Sequence, residues 1–374
     1  MRTSDNDHIE TVIVGAGQAG LATGYHLQRA GRPFVILDGA SRVGDGWRHQ
    51  WDSLRLFTPA QFDGLPGMPF PGPRWSFPTK DEFADYLESY AVRHRLPVRL
   101  STTVERVTPT EEGFLVTAGG QDIRADNVVC CTGTFGRKAS VPGFADRLDP
   151  AIRQLHSSDY RRPSELPDGA VLVVGAAHSG CDIAYELAAT HHTVLCGPDT
   201  GQIPVRFDSP LLKVVLPTMF FAFRHVLKRT NPLGRRVAGV HVRHGGPRLR
   251  VQQRDLAARG VDWVVGRVVG VRDGKPLLDD GRVLDVGTVV WCTGFRQAFD
   301  WVEAPAFAVD GWPLEQRGVA DGVAGLFFCG LQFQYAGSSM LILGAGRDAA
   351  YVADRIVERR TAAARMAADR TAAA

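Results

Sequence analysis

The clearest pattern of apolar and polar positions is a β-α-β unit close to the N-terminus. The β-branched run Thr11–Val14 predicts a buried strand, and the turn Gly15–Gly20 follows it directly. Apolar residues then recur at helical spacing as far as Leu27, and a second apolar run, Phe34–Leu37, is followed by Asp38. This order of strand, glycine turn, helix, strand and acid predicts a dinucleotide-binding unit.

The glycines of this first glycine turn (Gly15–Gly20) are the residues that a bound phosphate requires. Glycine lets the backbone turn tightly and approach a pyrophosphate, which then lies at the positive end of the following helix. The acid after the second strand accepts a hydrogen bond from a ribose hydroxyl. A structural glycine turn is the alternative. The dinucleotide hypothesis assigns six residues to cofactor binding: Gly15, Gly17, Gln18, Ala19, Gly20 and Asp38.

The same pattern returns in the middle of the chain. The apolar run Val171–Val174 is followed by the second glycine turn (Gly175–Gly180), a helical stretch and the run Thr193–Cys196. Ala177 replaces the middle glycine, and alanine is still small enough for a pyrophosphate to pass. A plain packing turn is again the alternative. The predicted binding residues of this second dinucleotide site are Gly175, Ala177, His178, Ser179 and Gly180.

The second unit has no clear equivalent of the acid in the first. The residues in register with Asp38 are Gly197, Pro198 and Asp199, and the first arginine after them is Arg206. A 2′-phosphate prefers a guanidinium near this strand end, so Arg206 is the candidate to bind it. The sequence favours NADPH and leaves NADH open.

Two dinucleotide sites predict a protein that pairs FAD with a nicotinamide cofactor, NADP or NAD. Two further strands, Val128–Gly133 and Val289–Gly294, both end in Cys-Thr-Gly. They look like the segments through which a two-dinucleotide flavoprotein passes between its domains. The candidate binding residues at these strand ends are Thr132, Gly133, Thr293 and Gly294.

The predicted fold is α/β, with two Rossmann-like dinucleotide-binding domains. The flavin domain is expected to be split by the inserted nicotinamide domain. The expected boundaries are 1–160 and 288–360 for the FAD-binding domain and 161–287 for the NAD(P)H-binding domain. The second domain carries a basic and apolar insertion at 204–254, and residues 361–374 are expected to form a frayed tail.

Composition and charge exclude several classes of function. The 374 residues carry a net charge of +3, which argues against a nucleic acid as the main partner. None of the six cysteines forms a CxxC or CxxxxC pair, and no metal-ligand spacing stands out, so neither a dithiol redox centre nor a metal is predicted. The polar N-terminus does not resemble a signal peptide, and a cytoplasmic protein is therefore expected.

One segment has an unusual charge pattern. No Asp or Glu occurs between Ser209 and Arg254, although ten Lys and Arg residues do, and the first half of this segment is strongly apolar. Lys213, Pro217 and Arg224 interrupt the apolar part, so it does not predict a membrane-spanning helix. Three interpretations remain open: a lid over an apolar substrate, a segment on an anionic membrane surface, and a partner or dimer surface.

Nearly the whole chain resembles the flavin-dependent monooxygenases that include flavin-containing monooxygenases, plant indole-pyruvate monooxygenases and Baeyer–Villiger enzymes. The stretch Trp51–Pro59 (WDSLRLFTP) is similar to one in compact bacterial relatives, and Gly325–Gly330 resembles the last flavin-contacting strand. The family fingerprint before the second unit is present in its second half as His156–Tyr160, in the version with Tyr rather than Trp, which argues against a Baeyer–Villiger enzyme. The first half departs from it at Pro150 and Ile152.

The resemblance implies further cofactor-binding residues. Those near the flavin are expected to come from three segments: the one after the first unit, the one around Thr58, and the C-terminal one. The backbone of a short strand over Thr102–Val104 is expected to meet the adenine. The residues added in this way are Gly46, Trp47, Thr58, Val104, Gly330, Met340 and Leu341.

The resemblance also implies a reaction. A reduced nicotinamide passes hydride to FAD, and O2 then forms a C4a-hydroperoxyflavin that gives one oxygen atom to a small apolar substrate bearing nitrogen, sulfur or a carbonyl group. The residue types assign no catalytic side chain. An asparagine that helps to hold the oxygenated flavin in flavin-containing monooxygenases is replaced here by Phe57. Two alternatives therefore stay open: an NAD(P)H-flavin oxidase or reductase without oxygen transfer, and a non-catalytic flavoprotein redox sensor. The sequence does not decide between a monomer and a homo-oligomer.

Overall fold

The fold is taken from a computed structural model, which describes residues 8–133, 138–244 and 246–373. The N-terminal segment 1–7, for which no signal peptide is predicted, lies outside them. The strands are β1 (His8–Val14), β2 (Phe34–Leu37), β3 (Val98–Arg99), β4 (Val104–Thr110), β5 (Gly113–Ala118), β6 (Gln121–Cys130), β7 (Lys138–Ala139), β8 (Arg153–His156), β9 (Val171–Val174), β10 (Thr193–Cys196), β11 (Asp262–Val264), β12 (Val268–Arg272), β13 (Lys275–Leu278), β14 (Thr288–Trp291), β15 (Phe295–Arg296), β16 (Glu315–Gln316), β17 (Val319–Ala320) and β18 (Leu326–Phe328). The helices are α1 (Gln18–Arg29), α2 (Asp45–Arg48), α3 (Lys80–Arg93), α4 (His178–Leu187), α5 (Leu212–Phe221), α6 (Pro232–His244), α7 (Gln253–Ala258) and α8 (Ile342–Ala373).

The first sheet is built around β1 and β6. Its strand order is β16-β17-β18-β6-β1-β2-β3, and the hairpin β4–β5 joins it through the first half of β6. β1 lies parallel to both β2 and β6, so Val14 pairs with Leu37 on one side and with Cys130 on the other. Because both faces of the sheet are covered here, β2 and the paired ends of β1 (12–14) and β6 (128–130) are apolar rather than alternating. Helices α1 and α8 pack together on one face around Ala22 and Ala349, whose small side chains are fully buried.

The second sheet is entirely parallel, with the order β11-β10-β9-β14-β8. Its central strand β9 is completely buried, and α4 packs against it through Ile183, Ala184 and Leu187. This β9-α4-β10 arrangement repeats β1-α1-β2 of the first sheet. The chain leaves the first sheet after β6, builds the second sheet and returns to the first through β16–β18. The predicted fold class is therefore confirmed.

The two connections between the sheets pair with each other. β7 follows β6 and β15 follows β14, and these short strands form an antiparallel ladder in which Phe295 pairs with Ala139. Both connections therefore run side by side. The two Cys-Thr-Gly segments lie next to the ladder formed by β7 and β15.

Two local expectations need correction. The segment 361–374 is not a frayed tail, since α8 continues through it to Ala373; eight of its fourteen residues are alanine, the strongest helix former. The strand expected over Thr102–Val104 begins only at Val104. The insertion is mostly helical, comprising α5, a π-helical turn at Ala222–Val226, α6 and the start of α7. Among the described residues, no helix combines the length and apolar composition needed to cross a bilayer.

Candidate functional site

The first glycine turn connects β1 to α1, and two of its glycines are required by the protein itself. Gly15 has φ +106°, and a Cβ added there would lie 2.7 Å from the carbonyl oxygen of Cys131. A Cβ on Gly20 would lie 1.9 Å from the carbonyl oxygen of Gly15. These contacts leave no room for a side chain, so the tight turn and its packing against the end of β6 explain both glycines.

Gly17 has no such explanation within the chain. Its φ of −79° suits any residue, and a Cβ added there would meet no protein atom within 4 Å. Gly17 directly precedes Gln18, the first residue of α1, so the open space lies beside the unpaired amides of the helix start. The absent side chain therefore keeps a space open for a group outside the protein, and a pyrophosphate fits the chemistry of this position.

Asp38 connects the first glycine turn to the end of β2. Its Oδ2 accepts a hydrogen bond of 2.6 Å from the Ala16 amide, and its Oδ1 accepts one of 2.8 Å from the Ala40 amide. The carbonyl oxygen of Asp38 accepts a 2.9 Å bond from the Thr102 amide. The bond from Thr102 holds this part of the chain next to Asp38. Val104, the predicted adenine contact, lies two residues after Thr102.

The second glycine turn repeats this geometry at the end of β9. Gly175 has φ +110°, and a Cβ on it would lie 2.3 Å from the carbonyl oxygen of Cys292; a Cβ on Gly180 would lie 1.7 Å from that of Gly175. Ala177 has φ −87° and precedes α4 as Gly17 precedes α1. Both turns therefore have the same constrained first and last glycines and the same position before the helix start. Ser179 and His178 form the first turn of α4.

The end of β10 differs from the end of β2. The residue that follows β10 is Gly197, where a Cβ would lie 2.5 Å from the backbone nitrogen of Ala176, so no acid fits there. Asp199, two residues later, forms a 2.7 Å ion pair with Arg248. The guanidinium of Arg248 also lies 4.6 Å from the ring of Trp263.

The guanidinium of Arg206, the predicted phosphate ligand, is held by two acids. The ion pairs of Arg206 go to Asp208, at 2.6 Å, and to Asp255, at 3.2 Å. Arg248, only 2% exposed, provides the cation beside Asp199 instead. Sequence reasoning missed it because Arg248 lies 49 residues after Asp199, and no spacing rule links the two.

The two Cys-Thr-Gly segments lie against the two glycine turns. Cys131 contacts the first turn and Cys292 the second, so Thr132–Gly133 and Thr293–Gly294 follow at equivalent places. The fingerprint histidine His156 stabilises the second crossing, since its Nε2 lies 2.9 Å from the carbonyl oxygen of Gly294. Burial lowers the pKa of His156, which favours the neutral ring.

Tyr160, the other end of the fingerprint, is also structural. Its hydroxyl donates a 3.0 Å hydrogen bond to Glu186 on α4. Burial raises the pKa of both groups. The fingerprint residues therefore connect the segment before β9 to the helix of the second glycine turn.

Of the residues expected near a flavin, Gly46 and Trp47 lie in α2, beside the first glycine turn. The indole Nε1 of Trp47 donates a 3.4 Å hydrogen bond to Gln18, and its ring packs edge-on against Phe83, with centroids 4.9 Å apart. A Cβ on Gly46 would meet no protein atom within 4 Å. α2 therefore forms part of the wall around the open space at Gly17.

Thr58 forms a buried pair with a residue that the sequence did not single out. The Thr58 hydroxyl donates a short hydrogen bond to Oδ1 of Asp63, and both side chains are buried. Oδ2 of Asp63 is buried and has no hydrogen-bond partner among the described residues. Burial raises the pKa of Asp63 to about 7. An acid within an apolar FDGLP stretch is the only signal that a sequence offers for such a group.

Phe57, next to Thr58, lies beside the second glycine turn. Its ring centroid is 5.8 Å from that of His178, the first residue of α4. Arg55 and Arg250 line the same cleft, which opens beside the start of α4. The position at which the resemblance leads one to expect an asparagine therefore presents an aromatic ring toward the second turn.

The C-terminal segment closes the site from the side of α8. Gly330 has φ +94°, and a Cβ on it would lie 2.9 Å from the Cβ of Ala19 in α1. Met340 and Leu341 precede α8, and the Leu341 carbonyl accepts the first helical bond, 3.1 Å from the Ala345 amide. This arrangement brings the end of β18 and the start of α8 to the first glycine turn.

The insertion is joined to this same segment by backbone hydrogen bonds. The Arg229 amide donates to the Tyr335 carbonyl, and the Gly337 amide donates to the Leu227 carbonyl, both at 2.9 Å. The inner face of the insertion packs on Phe62, Phe77 and Leu343 through an apolar cluster: Ile203, Val205, Leu212, Leu216 and Phe220. The inner face of the insertion is thus a wall of the candidate site.

The cysteines lie mostly in the interior of the protein. Five of the six cysteines are buried, and Cys292 is half-buried. Within the described ranges, no group of three or more His, Cys, Asp or Glu side chains is placed to hold a metal ion.

Comparison with known proteins agrees with this architecture. Residues 12–212 match the family model described as pyridine nucleotide-disulphide oxidoreductase. An uncharacterized oxidoreductase, CzcO-like, of Geobacillus kaustophilus (strain HTA426) is 35% identical over 350 residues, 93% of this chain and 98% of the relative. A probable indole-3-pyruvate monooxygenase of Arabidopsis thaliana, YUCCA3, is 29% identical over 386 residues, 93% of this chain and 86% of the relative. The structure of a flavin-containing monooxygenase from Stenotrophomonas maltophilia matches with a TM-score of 0.74 at 26% identity, covering 94% of this chain and 99% of that chain.

Proposed function

The chain belongs to the pyridine nucleotide-disulphide oxidoreductase family, in its flavin-containing monooxygenase-like branch, and from this premise we propose that it is an FAD- and NADPH-dependent monooxygenase. It transfers one oxygen atom from O2 to a small apolar substrate that bears a nitrogen, a sulfur or a carbonyl group. Residues 1–160 and 288–360 bind FAD in this proposal, and residues 161–287 bind NADPH.

The observation that carries the proposal is the pair of equivalent glycine turns. In each turn the first and last glycines are fixed by close backbone contacts, and in the first turn the position before the helix start is a glycine that the protein itself does not require. A ligand phosphate beside the helix amides explains Gly17. Asp38, already held by two backbone amides, retains lone pairs for a ribose hydroxyl.

The end of β10 supports NADPH over NADH. An acid at this strand end would repel a 2′-phosphate, and the close approach of Gly197 to Ala176 excludes one. The nearest acid, Asp199, is neutralised by its ion pair with Arg248, which keeps the pKa of that carboxyl below its usual value. The charge at this end therefore suits a cofactor that carries one more phosphate.

When bound and reduced, a flavin supplies the electrons that activate O2. The side chains of this protein bind and orient the cofactors and the substrate, and they exclude water from the site. Trp47 and Gln18 form the wall at the start of α1. Leu216 and Phe220 of the insertion pack on Phe62 and cover the site with apolar surface, which favours an apolar substrate.

The test measures how the electrons of NADPH are divided between oxygenated product and peroxide. The purified yellow protein is given NADPH, 18O2 and either a small thioether or a tertiary amine, and product label, NADPH consumption and peroxide are measured together. We expect labelled product and less peroxide than NADPH consumed. The variant Ala177→Leu fills the second turn and is expected to keep its flavin while losing reduction by NADPH.

The second candidate function is an NADPH oxidase that makes peroxide and transfers no oxygen to a substrate. The observation that favours it is Phe57, an aromatic ring at the position where an amide donor is expected. Complete recovery of the NADPH electrons as peroxide, with unlabelled substrate in every case, would replace the monooxygenase proposal by this one.

A further inference from the structure

The outer side of α5 carries three large apolar side chains beside the polar Lys213 and Thr218, which is unusual for a surface helix. Leu212, Leu216 and Phe220 point inward and are buried, as expected. On the opposite side, Leu211 and Phe221 are 67% and 61% exposed, with Val214 (67%) between them. Their spacing of three and seven residues puts them in one stripe along the helix. A solvent-facing stripe would ordinarily be polar, so this outer stripe (Leu211, Val214, Phe221) is suited to contact an apolar phase.

The charged residues of the segment that carries the outer stripe all have one sign, and Asp208, just before this segment, is paired with Arg206. The sequence has no Asp or Glu from Ser209 to Arg254. Lys213 and Arg224 flank the outer stripe, and Arg235 and Arg236 follow on α6; all four are exposed. None of them forms an ion pair with an acid in the part of the chain that the structure describes, whereas Arg229 of the same insertion pairs with Glu315. The exposed cations therefore remain available to an external anion.

The base of this surface is fixed. The two backbone bonds to Tyr335 and Gly337 hold the segment after α5, and Arg347 donates a 2.9 Å bond to the carbonyl oxygen of Arg224. The buried side of α5 packs against Phe62 and Leu343. The inner contacts satisfy one face of the helix, while the outer stripe stays exposed; its Phe221 ring contacts only the edge of the surface at His225, with centroids 4.7 Å apart, and is still 61% exposed. The stripe is presented on a packed scaffold.

We propose that the outer stripe and its flanking cations form an interfacial surface that docks on an anionic phospholipid bilayer. Apolar side chains next to Lys and Arg, with no acid nearby, are the pattern of helices that lie in the headgroup region. The cations attract anionic headgroups, and the apolar side chains enter the boundary of the acyl chains.

The positive charges of this surface argue against a second copy of this chain as its binding partner. A two-fold contact would place this surface against itself, and Lys213 and Arg224 would face cations of the same surface. An acidic protein would satisfy the charges, but three large aliphatic and aromatic side chains in a row match a lipid phase better than an acidic surface. The proposal does not depend on the proposed oxygenation, since it concerns only binding.

Vesicle sedimentation of the full-length protein tests the proposal. One set of vesicles is phosphatidylcholine alone, and the other contains 30 mol% phosphatidylglycerol as a chosen probe composition. We expect the protein to pellet with the anionic vesicles, to stay in solution with the neutral ones and to dissociate as salt is raised. Protein that remains in solution with both kinds of vesicle would overturn the proposal.

Matched variants separate the outer stripe from general surface effects. Phe221→Ser is expected to weaken binding to anionic vesicles about tenfold or more, because a large side chain no longer enters the lipid. Val214→Ser is expected to weaken it less, and the same change at the fully exposed Val309, Val309→Ser, is expected to leave it unchanged. Equal binding by wild type, Phe221→Ser and Val214→Ser would refute the outer stripe as the docking surface. A wild-type dimer in solution that dissociates in Phe221→Ser would assign the stripe to a second copy and also refute the proposal.

Discussion

Gly17→Val separates the two reasons for which a glycine occurs in the first glycine turn. A valine fits the backbone there, because φ is −79° and ψ is −174°, the extended region that valine favours. A Cβ at this position meets no protein atom within 4 Å, so the folded chain has no clash to relieve. The free energy of unfolding of the flavin-free variant should therefore fall by less than about 1.5 kcal/mol, a limit set by the poor capping of a helix by valine.

The effect on flavin binding should be much larger. The valine methyl groups occupy the space beside the first amides of α1, where a phosphate accepts hydrogen bonds. Hydrogen bonds to a charged group contribute about 1.5–3 kcal/mol each, so the loss of two costs about 3–6 kcal/mol. The dissociation constant for FAD should rise by more than about 100-fold.

Three measurements test this reasoning. The ratio of flavin absorbance to protein gives occupancy after purification, and fluorescence titration of the apoprotein gives the dissociation constant. Chemical unfolding of the apoprotein gives its stability. Gly143→Val is the control, since Gly143 is also open, without positive φ, and outside the turn. A Gly17→Val protein that purifies with full flavin, or an apoprotein destabilised by several kcal/mol, would refute the argument.

Three further predictions concern the interior and the second unit. Asp63→Asn should match wild type near pH 4 and be more stable by up to about 4 kcal/mol at pH 8 in denaturant titrations. The reason is that burial raises the pKa of Asp63 to about 7. The contribution of the protonated carboxyl to the free energy of unfolding is complete below the pKa that Asp63 has in the unfolded chain, and it is lost as pH rises toward 7. Equal stability of the two proteins at pH 8 would contradict this. Gly180→Ala should lower the free energy of unfolding by at least about 2 kcal/mol, because the new Cβ would lie 1.7 Å from the carbonyl oxygen of Gly175, and an unchanged unfolding midpoint would show that the turn relaxes freely. Arg248→Met removes the ion pair with Asp199 and should raise the KM for NADPH more than that for NADH, because the exposed carboxylate then repels the extra phosphate; a proportional rise in both would assign Arg248 to structure alone.

The sequence predicts those parts of the fold that are local. Strand, glycine turn, helix and strand follow one another within about 30 residues in each unit, so periodicity and glycine spacing suffice to place β1-α1-β2 and β9-α4-β10. The Cys-Thr-Gly repeats indicate the two crossings in the same way. The length of α8 follows from its alanines, which favour a helix even where the segment has no apolar stripe to pack against the core.

The remaining features depend on contacts that are distant in sequence. Arg248 reaches Asp199 only because the insertion folds back along the end of β10. The backbone bonds between Arg229 and Tyr335 join segments more than 100 residues apart, and no pattern of residue types encodes them. The pKa of Asp63 is unusual only because its side chain is buried away from water. This burial depends on how Thr58 and the neighbouring loops pack.

The most direct test of the central claim is rapid mixing of the yellow protein with NADPH or NADH under anaerobic conditions, followed by mixing with oxygenated buffer. We expect NADPH to reduce the flavin faster than NADH does, and a near-ultraviolet band distinct from oxidised and reduced flavin then to form and decay slowly. Failure of both nucleotides to reduce the flavin would contradict the assignment of the second glycine turn, and the enzymatic account with it.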